Sequence, residues 1–262
     1  MKIQCPAKIN LDLKITSKRE DGFHEIKSVM QTISLYDYLT LEAVPSQKFE
    51  INLSGNSLEI PYNEKNLVYK AILLFVETVN LPPHKISVYI EKNIPVAAGL
   101  AGGSTDAAGI LKGLNEFFAC PLANEQLHTL CAKLGSDLNF CLEGGRQLTQ
   151  GRGEILSPLP FEEFTVSLIK PISLGISAKE AYTKFSAKKS VSEADRQNFK
   201  NDLEWAVIED YKELQKIKEL YPDSMMSGSG STYFLTGKDF LPLEGYRIIN
   251  GLKATEKGVK II

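Results

Sequence analysis

The chain has 262 residues, with 30 Lys and Arg against 32 Asp and Glu, a net charge of -2 and a pI of about 6.0. With 43% hydrophobic and 24% charged residues it has material for a core, and no Lys/Arg-rich block marks nucleic acid or an anionic membrane as a partner. Cys5, Cys120, Cys131 and Cys141 show no C-x-x-C spacing, which argues against a zinc site or disulfide framework and fits a reducing compartment. There is no signal-peptide pattern at the N-terminus and no apolar run of membrane-spanning length, so a soluble cytoplasmic protein is expected. The length suits two units, read here as residues 1–157 and 158–262.

Lys2 to Thr16 alternates apolar and polar residues (Ile9, Leu11, Leu13, Ile15) and reads as a strand, followed by the polar turn Ser17–His24 with Gly22 at its bend. Strand patterns recur at Tyr38–Val44 and Phe49–Leu53. From Asn66 the spacing of Val68, Ile72, Phe75 and Val79 predicts a helix ending before Pro82-Pro83. Lys85–Glu91 alternates as a strand and runs into Ile94-Pro-Val-Ala-Ala-Gly-Leu-Ala-Gly-Gly-Ser104. A helix is predicted from near Ser104, and another over Asn124–Leu134, stopped by Gly135. After Pro158 the pattern predicts a strand at Phe164–Ile169, a helix at Ala178–Phe185, a linker-like stretch at Lys184–Arg196, and one long helix over Asp202–Leu220 carrying Trp205. The small-residue loop Met226–Ser231 then leads into a strand at Thr232–Leu235. Without regular βα alternation, the class expected is α+β.

The strongest chemical signal is the strand–loop–helix containing Pro95, Gly99, Gly102, Gly103, Ser104 and Thr105. Glycines admit positive φ and close ligand approach, and a helix N-terminus turns free N–H groups and a positive dipole end toward an anion. Phosphate is the natural occupant. The competing interpretation is a tight turn with Ser104 as N-cap. Neither G-x-x-x-x-G-K-[ST] nor G-x-G-x-x-G is present. Asp106 is expected to serve the helix dipole and face away from the ligand; a Mg2+-ligand role for Ser104 or Asp106 is the lesser alternative. Lys8 lies between Ala7 and Ile9 in an apolar strand and needs a buried partner. Asp137, followed by Leu138 and Phe140, is the candidate, and such a pair would keep Asp137 ionised to accept a hydroxyl proton. Phe23-His24 offers a stacking face and a hydrogen-bonding edge suited to a nucleobase.

Pro6-Ala-Lys-Ile-Asn-Leu11, Pro95–Ala108 and Ser227-Gly-Ser-Gly-Ser231 resemble, in order, the three motifs of the GHMP kinase superfamily (galacto-, homoserine, mevalonate and phosphomevalonate kinases). Arg19-Glu-Asp-Gly-Phe-His24, the Gly102-Gly103 pair and Leu134-Gly-Ser-Asp137 are similar to its branch acting on cytidine diphosphate methylerythritol in non-mevalonate isoprenoid synthesis. The resemblance implies a two-domain α+β fold with the active site in the interdomain cleft, and ATP with Mg2+ as cofactors. It implies Lys8 and Asp137 as the catalytic pair, with Asp137 the base toward the acceptor's 2-hydroxyl. Asn10 would position the erythritol portion, Phe23 stack on cytosine, His24 bond its edge and Tyr182 supply a second aromatic face. Asn66, Leu67 and Lys92 would lie near adenine and phosphates. Pro95, Gly99, Leu100, Ala101, Gly102, Gly103, Ser104 and Thr105 would line the nucleotide, and Gly228 and Gly230 would close over the acceptor.

Asn139 stands where the family usually has proline, and Ala101 where glycine is common. Two alternatives remain: another small-molecule acceptor (homoserine, mevalonate or a sugar), for which Phe23-His24 has no evident use, and a non-catalytic nucleotide binder, which has no need of a base.

Overall fold

The computed structural model describes residues 1–188 and 196–262; most of the linker-like stretch read at Lys184–Arg196 lies outside the described residues. Two sheets organise the chain. Lys2–Asn10 (β1), Lys14–Lys18 (β2), His24–Pro45 (β3), Glu50–Gly55 (β4), His84–Glu91 (β5), Arg146–Gln150 (β6) and Ile155–Pro158 (β7) belong to the larger one. Thr165–Pro171 (β8), Met225–Met226 (β9), Tyr233–Thr236 (β10) and Tyr246–Lys253 (β11) form the smaller, in the order β11-β8-β10-β9. Lys260–Ile261 (β12) returns to pair with β1 at the edge of the larger sheet. Within the larger sheet β4 and β5 run parallel, while β1, β3 and β5 pair antiparallel.

Leu67–Val79 (α1), Gly102–Phe117 (α2), Asn124–Leu134 (α3) and Leu138–Glu143 (α4) cover one face of the larger sheet. The alternating strands present Ile3, Cys5, Leu39, Leu41, Ile86, Val88 and Ile90 to Val68, Ile72, Phe75, Ile110, Leu111 and Leu114 of the helices, all fully buried or nearly so. A second cluster joins the smaller sheet to Ala178–Ala187 (α5), Asp202–Val207 (α6) and Lys212–Leu220 (α7), and takes in Leu13, Ile15 and Ile26 from the N-terminal third. A third, with Ala7, Ile9, Ile94, Leu100, Val166, Leu168 and Phe234, packs the two sheets together. None of the described helices is long and apolar enough to cross a membrane.

Three departures from the sequence reading have local causes. The strand expected over Lys2–Thr16 breaks after Asn10, where Asp12 turns inward and its carboxylate accepts from the Val29 amide. The strand expected only at Tyr38–Val44 extends over 22 residues, because buried polar Ser28, Gln31 and Thr32 interrupt its apolar phase without ending it. The single helix expected over Asp202–Leu220 is divided by a 3-10 turn at Ile208–Asp210, where the Ile208 and Glu209 carbonyls accept from Nε2 of the Gln215 side chain.

Helix α2 lies close against β1 because Gly109 and Gly113 face it. A Cβ at Gly109 would stand 2.5 Å from Cys5 Sγ, and one at Gly113 would stand 2.3 Å from Ile3 Cδ1. This contact fixes the start of α2 relative to the strand carrying Lys8. Alanine at Gly109 gains roughly 1 kcal/mol of helix propensity, but overpacking typically costs 1–3 kcal/mol, so Gly109→Ala is expected to lower stability by about 1 kcal/mol in chemical denaturation. A more stable variant would contradict this packing.

Candidate active site

A cleft of about 1080 Å3 is lined by strands of the larger sheet, by the glycine-rich loops and by residues of α5 and α6. That is room for more than one small molecule. Lys8, near the end of β1, stands at its floor with a side chain only 4% exposed. Its ammonium donates to Asn10 Oδ1 (2.7 Å) and to the Gly99 carbonyl (3.0 Å), and lies 3.6 Å from Asp137 Oδ2. The backbone of the same residue donates to the Leu100 carbonyl at 3.2 Å. Asn10 in turn donates from Nδ2 to Ser28 Oγ on β3 (2.8 Å). Asp137 is the N-cap position of α4 and keeps its carboxylate partly open to the cleft.

The Gly99 carbonyl also accepts from Ser227 Oγ at 3.0 Å, so it joins two glycine-rich loops. At φ +73° a Cβ on Gly99 would fall 2.0 Å from the Ser227 carbonyl oxygen, and one on Gly228 would fall 3.0 Å from the Lys8 ammonium. Asn201 holds the second loop by donating to the Met226 and Gly228 carbonyls, each at 2.8 Å.

Helix α2 begins at Gly102, two residues before the predicted start, and Ser104 is not its N-cap. Ala101 takes that position at φ 59°, left-handed backbone that glycine adopts more readily, and no side chain caps the helix. The first helical bond runs from Thr105 N to the Ala101 carbonyl, which leaves the Gly102, Gly103 and Ser104 amides without intrahelical acceptors. All three residues line the cleft, and a Cβ at Gly103 would meet nothing within 4 Å. This is an open anion cradle at a helix N-terminus.

With the earlier start, Asp106 falls beyond the first turn, so the expectation of a dipole partner facing away is corrected. Its Oδ2 accepts from Lys92 Nζ at 2.8 Å, and Lys92 also pairs with Asp37 Oδ2. The three side chains are at most 5% exposed. Lys92 thus underpins the loop: a Cβ at Gly102 would stand 3.0 Å from its ammonium. Asp37 Oδ1 accepts from the amides of Asn93 (2.6 Å) and Ile94 (2.9 Å), anchoring the loop's entry. Burial pushes the Asp106 carboxyl up to about 7; Lys92 opposes the shift and the nearby Asp37 charge adds to it. Burial disfavours the charge on Lys92, but Asp106 and Asp37 outweigh it and raise the group above its ordinary value. Asp37 escaped the sequence reading, although it is a carboxylate in the buried phase of a strand, in step with Ile33, Leu39 and Leu41.

Of the other residues expected on the nucleotide side, Pro95, Leu67, Leu100 and Ala101 line the cleft. Asn66 does too, but its side chain is committed to capping α1 through Val68 N and to donating to the Pro61 carbonyl. Thr105 is fully buried away from the cleft and is corrected to a core residue. Gly230 is likewise absent from the lining, whereas Gly228 and Ser229 are part of it. For Mg2+, no group of three or more His, Cys, Asp or Glu able to hold a metal exists among the described residues. The single hydroxyl of Ser104 at the cradle fits an ion held chiefly by phosphate and water oxygens, as Mg2+ usually is.

Phe23, His24 and Tyr182 share the far end of the cleft. The His24 and Tyr182 rings stack with centroids 5.1 Å apart, and Phe185 meets His24 edge-on at 5.9 Å. Phe23 is half exposed, with the Arg152 guanidinium 4.9 Å from its ring centroid. Burial, and secondarily Lys18, holds His24 below the usual imidazole range. Asn139, the departure beside Asp137, donates to the Glu154 carbonyl (3.2 Å) and so ties α4 to the turn bearing Arg152. Arg152 and Ser186, which bonds His24, carry no local sequence signal.

The fold is that of the GHMP kinases: residues 66–145 match the family model described as GHMP kinases N terminal domain. The fold aligns with a crystal structure of homoserine kinase from Cytophaga hutchinsonii at TM-score 0.73 and 15% identity, covering 100% of this chain and 97% of that one. It aligns with a crystal structure of 4-(cytidine 5'-diphospho)-2C-methyl-D-erythritol kinase at TM-score 0.77 and 28% identity, covering 97% and 100%. In sequence the chain is 39% identical over 263 residues to the 4-diphosphocytidyl-2-C-methyl-D-erythritol kinase of Clostridium beijerinckii, covering 92% of each. Against the enzyme of the same name from Clostridium tetani it is 40% identical over 256 residues, covering 89% and 90%. The chain belongs to the 4-diphosphocytidyl-2-C-methyl-D-erythritol kinase family.

The Lys92 cluster makes a stability prediction with a defined sign. Removing the ammonium takes away the charge that opposes the raised value of the buried Asp106 carboxyl, which then binds its proton more tightly in the fold than in the unfolded chain, so stability falls as pH rises. Lys92→Met is expected to cost about 3 kcal/mol near pH 8 and less near pH 5.5, by urea titration at both values. An equal cost at both would mean that the carboxylates do not interact through Lys92.

Proposed function

We propose that the protein transfers the γ-phosphoryl group of ATP to the 2-hydroxyl of 4-diphosphocytidyl-2-C-methyl-D-erythritol, a step of non-mevalonate isoprenoid precursor synthesis. The observation that carries this reading is the shared cleft: the free amides of α2, the Lys8–Asp137 pair and the Phe23–His24–Tyr182 aromatic group all line it. Residues 1–157 act as the ATP-binding unit and residues 158–262 as the acceptor-side unit, with the chemistry between them. In support, Ser177, Ala178, Tyr182 and Gly228 of the second unit line the same cleft as the glycine-rich loop of the first.

In this reading the ATP phosphates lie against the Gly102, Gly103 and Ser104 amides. Ser104 would be the protein ligand of Mg2+, which would offset phosphate charge when bound. Pro95, Gly99, Leu100 and Ala101 shape the loop, with Lys92 beneath it and Leu67 and Asn66 toward the adenine end. Asn10 orients the acceptor's polyol, and Phe23, His24 and Tyr182 hold its cytosine. Asp137 accepts the 2-hydroxyl proton as that oxygen bonds to the γ-phosphorus and the bond to the ADP oxygen breaks. The Lys8 ammonium supplies positive charge beside the carboxylate and the reacting oxygens. Phosphoryl transfer with a loose transition state depends mainly on such positioning and charge.

The test is ADP release from Mg2+-ATP with 4-diphosphocytidyl-2-C-methyl-D-erythritol, homoserine, mevalonate or galactose as acceptor. Turnover with the cytidine compound alone is expected; turnover with another acceptor alone, or none with any, refutes the reading. Asp137→Ala is expected to lose about a hundredfold or more in kcat while still binding ATP. Near-normal turnover would remove Asp137 from the chemistry.

A further inference from the structure

The second glycine-rich loop meets both residues that accept protons from the Lys8 ammonium. Ser227 Oγ donates to the Gly99 carbonyl at 3.0 Å, and the Asn10 amide donates to Ser227 Oγ at 3.4 Å. A Cβ on Gly228 would fall 3.1 Å from the Gly99 carbonyl oxygen and 3.2 Å from Asn10 Oδ1. The loop's placement therefore sets how closely Lys8 is enclosed. Its internal bond, from Gly230 N to the Ser227 carbonyl at 2.9 Å, closes the turn but does not locate it.

The loop is located by the start of α6. Asn201 is fully buried, and neither it nor Glu204 lines the cleft. Asn201 Nδ2 donates to the Met226 and Gly228 carbonyls, while Glu204 Oε2 accepts from the Met226 amide at 3.1 Å. Both backbone groups of Met226 are thus held from one helical turn. The partners fix which way the Asn201 side chain points: two carbonyls can only accept, and Oδ1 accepts from the Leu203 amide at 2.9 Å as the N-cap. The same turn is tied to the first unit. Leu13 N donates to the Lys200 carbonyl (2.9 Å), Asp202 N to the Leu13 carbonyl (2.8 Å), and Ile15 N to Asp202 Oδ2 (2.8 Å). Leu13 follows just beyond Asn10, so one turn grips both the end of the Lys8 strand and the loop that closes on it.

We propose that Asn201 is a positioning residue for phosphoryl transfer: its side-chain amide clamps the Met226–Gly228 backbone against Lys8, and it acts on the reaction through Lys8 without touching either substrate. This rests on the kinase reading above and adds to it a residue of the second unit that lies outside the cleft.

An N-cap asparagine also has a structural role, and two variants separate the roles. Asn201→Ser keeps a capping oxygen but is too short to reach the loop carbonyls; Asn201→Asp keeps shape and cap but has no N–H to donate. In each, single-turnover transfer is expected to fall about tenfold, with ATP and acceptor affinities within about twofold of wild type. Hydrogen exchange at the Gly230 amide should quicken about tenfold as the loop loosens. Asn201→Ser carries the test if the buried charge of Asn201→Asp prevents folding. Wild-type transfer or unchanged Gly230 exchange in a capped variant would mean that Asn201 only caps the helix, and overturns the proposal. In a Lys8→Met background, Asn201→Ser should cost less than about twofold further; a full tenfold cost there also overturns it, because the loop would act by another route than Lys8. If the wild type does not phosphorylate the cytidine acceptor, the functional reading fails by itself, while exchange at Gly230 still decides whether Asn201 holds the loop.

Discussion

A lysine ammonium removed from water needs acceptors for its three protons, because an unpaired buried charge costs far more than the fold can spare. Lys8 finds its acceptors on Asn10, on the Gly99 carbonyl and, at longer range, on Asp137. Those groups belong to a strand, a glycine-rich loop and the start of a short helix. Satisfying one charge therefore fixes three segments that are far apart in sequence. The second glycine-rich loop joins the same junction through Ser227 Oγ on the Gly99 carbonyl, and Gly228 passes closer to the ammonium than a side chain would allow.

The open amides at the start of α2, where we propose that phosphate binds, depend on a second buried charge with a different arrangement. Lys92 is shared by Asp37 and Asp106, and Asp37 also accepts two amides at the loop's entry. The loop is thus held from beneath by ion pairing and from the side by Lys8, while its amides stay free at the cleft. Preorganised amides at a helix end give a charged ligand its stabilisation without reorganisation at the moment of reaction. The close packing of Gly109 and Gly113 on β1 keeps these two supports in register.

Much of this was legible in the sequence because charge in an apolar strand and glycine at a strand–helix junction are local signals with physical causes. Lys8 and Gly102-Gly103 were found that way, and the Asn124–Leu134 helix followed its period to both ends. The start of α2 was misread because a left-handed Ala101, not a capping side chain, begins the helix, and alanine gives no sign of that conformation. Thr105 was assigned to the loop when its neighbours, not its own side chain, face the cleft. Asp37 was legible in principle from its buried strand phase. Arg152 over Phe23 and Ser186 on His24 were not, since each is a contact across more than 100 residues that only the tertiary fold creates.

The central claim is that the Lys8 ammonium joins the loop to the Asp137 carboxylate, and Lys8→Met tests it with shape largely kept and charge removed. ATP affinity and single-turnover phosphoryl transfer should be measured on the same folded preparation. If Lys8 is the junction, transfer falls by about a thousandfold and ATP binding weakens as well, because the Gly99 carbonyl loses one of its two donors. Transfer near the wild-type rate with unchanged ATP affinity would show that the loop and Asp137 are held together by something other than Lys8.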